Sequence, residues 1–147
     1  MAYIEATAAG VGMNEELLAQ LTDSDAAPRE VDWTIVADHV AAADDVIDRT
    51  LDGKYVTPLD VVDLIVKLWS RRIAQYLLFR NRPTMPMPAT VKADYEQTLR
   101  DLEFAARGAE GVRLRATLRA GDDDPTPSRG AREEVIRRFG RGRDGLG

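Results

Sequence analysis

Residues 58–80 read PLDVVDLIVKLWSRRIAQYLLFR, and this stretch decides the fold. Pro58 is favoured at a first helical position, so a helix is expected from there to about Arg80. Val61, Val62, Leu64, Ile65, Leu68, Trp69, Ile73, Tyr76 and Leu77 give it a wide apolar arc. Asp63, Lys67, Ser70 and Arg71 leave only a narrow polar stripe. A helix apolar around most of its circumference is central in its domain or covered by a neighbouring subunit.

Working outward, a second long helix precedes it, from about Asp32 to Leu51. Asp32 serves as N-cap and Gly53 as the stop. Val36, Val40, Ala43, Ile47 and Leu51 share one face at helical spacing. Asp38, Asp45 and Asp52 recur every seventh residue on the other. Towards the amino terminus, Asn14 to Leu21 forms a short helix capped by Asn14, with Leu17, Leu18 and Leu21 inward. Beyond residue 80, Pro83, Pro86 and Pro88 break any helix. A last helix follows from about Thr90 to Arg107, with Val91, Tyr95, Thr98, Leu99, Leu102 and Ala105 inward, ended by Gly108 and Gly111. The expected architecture is all-α: a small bundle of three long helices and one short one, in a domain spanning residues 1–110.

Residues 111–147 differ in kind. Val112 to Arg119 alternates apolar and polar residues, which reads as extended. An Asp/Pro stretch and a Gly/Arg-rich end follow, with too little apolar surface to fold alone. Residues 1–110 carry 11 Lys+Arg against 19 Asp+Glu, whereas residues 111–147 carry 9 Arg against 6 acids. An acidic body thus bears a basic, extended arm, which is expected to become ordered on a partner. The candidate contacts on the arm are Val112, Arg113, Leu114, Arg115, Leu118, Arg119, Arg132, Ile136, Arg137 and Phe139.

Composition excludes several functions. The 147 residues contain no cysteine and one histidine, so disulfides, thiolate chemistry and a zinc site built on His39 are not expected. No apolar run is long enough to span a bilayer. The opening MAYIEATAAGVG has neither the basic nor the apolar region of a signal peptide, so synthesis in the cytoplasm is expected. Asp23-Ser24-Asp25 has the spacing of two calcium ligands, but Ala26, Ala27 and Pro28 follow where a glycine and further oxygens belong; a capping turn is the expectation. His39 lies at the edge of an apolar face with no partner for acid–base work. No nucleophile, phosphate-loop or metalloprotease motif occurs. No cofactor and no catalysis are expected.

Arg72 stands out, because a helical wheel places it among Ile65, Leu68, Trp69 and Tyr76. It must snorkel, pair with a carboxylate or face a subunit interface, and Asp44 is the expected partner. The clustered Arg71, Arg72, Arg80 and Arg82 are expected to complement the helix dipole, the alternative being a docking patch for an acidic partner.

The string Ile47-Asp48-Arg49-Thr50-Leu51-Asp52-Gly53-Lys54-Tyr55-Val56-Thr57-Pro58-Leu59 resembles the joint between two long helices in the Mu-like phage neck proteins. Met1-Ala2-Tyr3-Ile4, Leu21-Thr22-Asp23, Ile73-Ala74-Gln75-Tyr76, Tyr95, Leu99 to Leu102 and Gly108 look similar too. The likeness runs in consistent order over residues 1–110. In that joint Gly53 is expected to supply a left-handed turn and Tyr55 to pack back on the preceding helix. Lys54 stands where the family usually has arginine, and Arg72 where it often has an acidic or polar residue.

The resemblance implies a head–tail connector, or head-completion protein, of the virion neck. Such proteins form a homo-oligomeric ring, of about twelve copies, beneath the portal. They extend the channel through which double-stranded DNA passes without specific contact, and they dock a tail terminator or completion protein. The arm would contact the portal, while Arg72 and Asp44 would form a subunit interface or a buried ion pair. Asp38, Asp45 and Asp52 would line the channel. The competing expectation is a helical DNA-binding or regulatory protein that uses its arginine-rich tail.

Overall fold

The computed structural model describes residues 2–22, 30–108 and 113–119. Five helices follow in order: α1 (Ala8–Val11), α2 (Glu15–Thr22), α3 (Trp33–Leu51), α4 (Leu64–Asn81) and α5 (Ala89–Ala106). The chain is all-α among the described residues, apart from one isolated antiparallel bridge between Tyr55 and Leu118.

Local chemistry sets most boundaries. The Asn14 side chain accepts from Leu17 N–H at 2.7 Å and starts α2. Asp32 caps α3, accepting from the amides of Thr34 and Ile35. Lys54 N–H and Tyr55 N–H both donate to Leu51 O and close α3. Gly53 does not supply a left-handed turn: among the described residues only Gly12 and Gly108 have positive φ. Gly108, at φ 72°, ends α5 as expected.

The central helix is α4, which touches each of the other four. From α3 it receives Val36, Val40, Ala43, Ile47 and Leu51, all buried, as their spacing predicts. From α5 it receives Thr98, Leu102 and Ala105. Tyr76 of α4 stacks on Tyr95 of α5, with ring centroids 3.7 Å apart. That contact lies near the 82–88 loop, so the first turn of α4 and the last turn of α5 share the opposite end of the bundle.

Two expectations for α4 fail for tertiary reasons. It begins at Leu64 rather than Pro58, because residues 58–63 are engaged elsewhere. Leu59 N–H donates to the Tyr3 hydroxyl, and the Asp60 and Asp63 carboxylates receive bonds from the C-terminal segment. The buried face also differs. Val66, Trp69, Ser70, Ile73, Ala74, Leu78 and Phe79 are buried, while Val61, Leu64 and Ile65 are exposed. Ser70 leaves the expected polar stripe because its hydroxyl has a buried acceptor, Asp44.

Candidate assembly surfaces

The arm begins inside the fold. Residues 113–119 lie against the joint between α3 and α4, although everything after residue 111 was expected to become ordered only on a partner. The alternation read from the sequence explains how. Leu114 and Ala116 point inward and are buried, Leu118 is half-buried, and Arg113, Arg115, Thr117 and Arg119 are exposed. Val56 N–H donates to Thr117 O and Arg119 N–H to Lys54 O, each at 2.9 Å. Leu114 N–H donates to the buried Tyr55 hydroxyl.

Three carboxylates clasp the outer side. Asp63 accepts from the Arg115 amide at 2.9 Å and from its guanidinium. Asp60 accepts from the Thr117 amide at 2.9 Å and from its hydroxyl. Asp52 accepts from the Arg119 guanidinium. Hydrogen bonds from the Thr117 side chain and amide hold the Asp60 carboxyl below its ordinary range. The Arg115 amide, and then its guanidinium, do the same for Asp63. Both guanidinium groups are solvent-exposed, so these ion pairs stabilise little by themselves. Burial of Leu114 and Ala116 supplies the larger share, at about 25 cal/mol per Å² of apolar surface.

Asp44 is not paired with Arg72. Its two oxygens accept from the Ser70 hydroxyl, at 2.7 Å, and from the Tyr3 amide, at 3.1 Å. Burial pushes this carboxyl above its ordinary range, and the two hydrogen bonds pull it back in part. The Tyr3 hydroxyl in turn donates to Asp48. Burial first, and then that bond, raise the Tyr3 phenol well above its ordinary value. This network ties the amino terminus, α3, the joint and α4 together. It left no trace in sequence spacing, since its members lie 26 to 45 residues apart.

Arg72 is half-buried on the side of α4 that carries Leu64, Ile65 and Leu68. Among the described residues it forms no ion pair and no hydrogen bond, whereas its neighbour Arg71 donates to Gly10 O. Leu64 is 82% exposed and Ile65 39%. On the outer face of α3, Asp38 is exposed, Asp45 bonds Arg49 one turn on, and Asp52 holds Arg119. His39 is half-buried with Nδ1 2.8 Å from Ile35 O, a structural contact. Val112, Arg132, Ile136, Arg137 and Phe139, and the Asp23-Ser24-Asp25 turn, lie outside the described residues. Among the described residues no group of acids and histidine is arranged to hold a metal, and no helix is long and apolar enough to cross a membrane.

Sequence reasoning missed Asp60 and Asp63 as the clasp. Their signal was present only as two acids before α4, at residues assigned to that helix.

The described residues form a helical bundle with a clasped basic segment at 113–119 and an exposed apolar helix face. Comparison with known sequences places it. Residues 3–134 match the model of the family described as "Bacteriophage Mu, Gp36", and the chain belongs to that family. It is also 35% identical over 98 residues to the "Mu-like prophage FluMu protein gp36" of Haemophilus influenzae, covering 67% of this chain and 62% of that protein. The chain thus matches somewhat less than two thirds of that relative's length. Membership makes it a phage protein, consistent with a structural or morphogenetic part.

Proposed function

We propose that this chain is a head–tail connector of the virion neck and works by assembly, not catalysis. In this reading, copies associate into a ring beneath the portal, about twelve by the family resemblance. The ring extends the DNA channel, and its far side docks a tail completion or terminator protein.

The observation that carries the reading is the clasped root of the arm. Arg119 is fixed by Asp52 at the α3–α4 joint, at one end of the bundle. In a ring every copy would present its arm at the same level, where a portal could receive all of them. The exposed apolar start of α4 lies at that end too and supplies surface for a partner. The channel-lining role expected of Asp38, Asp45 and Asp52 is weakened, because two of these carboxylates already hold a guanidinium. The DNA-binding alternative loses ground likewise, since Arg115 and Arg119 are committed to carboxylates of their own chain.

Cryo-electron microscopy of the purified chain mixed with the portal of the same phage tests this. A ring of this chain below the portal, with residues 120–147 seated on portal subunits, is the expected outcome. No association with an intact portal, combined with salt-dependent binding to DNA, overturns the reading in favour of the alternative.

A further inference from the structure

Two faces of the bundle have no partner among the described residues, and they differ in chemistry. One is the outer side of α4, where Ile65 and Leu68 lead to Arg72. A guanidinium half-buried on an apolar surface is costly without a carboxylate, and Arg72 has none among the described residues. The other is the outer side of α3, where Ala37, Asp38, Ala41 and Ala42 are exposed. Alanines let a second helix approach closely, and Asp38 forms no ion pair among the described residues.

We infer that these two faces are partners across copies: the α4 face of one chain docks on the α3 face of the next. The proposal rests on the ring reading and names its interface. The spacing fits. Leu68 and Arg72 are one helical turn apart, about 6 Å along the axis, and so are Ala42 and Asp38. In an antiparallel crossing Leu68 covers Ala42 while Arg72 reaches Asp38. A parallel crossing would bring Arg72 to Asp45 instead, which already holds Arg49.

Charge chooses the occupant. Two α4 faces against each other would bring Arg72 against Arg72, which repels. The α3 face of a second copy offers the acid. Because the two patches differ, the contact is head-to-tail, the kind that propagates past a dimer and forms a ring where the rotation closes.

The absence of native cysteine makes the test direct. Leu68→Cys and Ala42→Cys are prepared as separate full-length chains, checked for native helicity, mixed and oxidised. The expected result is a disulfide dimer in the mixture and none from either variant alone. The same pair placed in one chain, with portal present, should give a ladder of oligomers. Arg72→Asp and Asp38→Arg should each lower cross-linking by about tenfold or more, and the double charge swap should restore it.

A Leu68→Cys homodimer would overturn the head-to-tail arrangement. Shielding of Leu68→Cys from a small thiol reagent in the monomer that is lifted by deleting residues 120–147 would show the face covered by the chain itself, which also overturns the proposal. Rings on the portal that form without the cross-link, or that tolerate Arg72→Asp, sink this interface while leaving the ring reading intact. The cross-link in solution with no ring on the portal does the reverse.

Discussion

The Ser70 hydroxyl donates to Asp44 Oδ1 over 2.7 Å and joins α4 to α3 through their buried faces. Neither residue is accessible, so the bond is worth more in the leaving than in the making. Ser70→Ala leaves one oxygen of a buried carboxylate without its donor. The expected cost is about 1–3 kcal/mol, read from the urea midpoint. Burial raises the Asp44 carboxyl in the folded state above its unfolded value. Its contribution is therefore greatest below the ordinary carboxylate range and is lost as pH rises through the raised value.

Asp60 and Asp63 have the opposite sign. Their folded values are depressed, so the clasp on residues 113–119 is complete above the ordinary carboxylate range and weakens as pH falls through the lowered values. The amide resonances of Arg115 and Thr117, which donate to these carboxylates, should shift in acid when followed by NMR, while those of Leu114, α3 and α4 hold. At neutral pH, Leu114→Asp should release the segment and Arg115→Ala should barely loosen it, by less than about 1 kcal/mol. Equal effects of the two substitutions would contradict the primacy of apolar burial.

Two glycines make a paired test of backbone conformation. Gly108 has φ 72°, and a Cβ there would lie 2.7 Å from Lys54 Nζ. Gly108→Ala should cost about 1–2 kcal/mol in left-handed strain, with the lysine end able to shift. At Gly53 an added Cβ meets nothing within 4 Å and φ is not positive. Gly53→Ala should be neutral or stabilise by about 0.4–1 kcal/mol, because it narrows the unfolded ensemble. Thermal unfolding of both variants decides; a large loss at Gly53 would restore the left-handed turn that its sequence context suggests.

Thr98 is fully buried in α5, and its hydroxyl has no partner among the described residues. Thr98→Val keeps the shape and removes an unsatisfied polar group. The variant should be as stable as the parent or more so, by up to about 1–3 kcal/mol. A clear loss in calorimetry would mean that the hydroxyl has an acceptor in the native state, such as an internal water.

The sequence by itself determined the elements whose causes are local. Asp32 and the recurrence from Val36 to Leu51 set both the start and the buried face of α3, because a cap and a 3.6-residue period involve only near neighbours. Gly108 ended α5 for the same reason. The resemblance read from the α3–α4 joint named the right family by the same local means, as a string of adjacent residues.

Only the tertiary structure decided which side of α4 is buried and where the arm begins. An arc apolar over most of a helix has no unique inward face, so the choice fell to Asp44, 26 residues away, which drew Ser70 inside. Likewise Asp63 and Arg115 are 52 residues apart, and no pattern along the chain couples them. Folding back brings the carboxylates of the joint against the amides of the segment. That makes residues 113–119 part of the body.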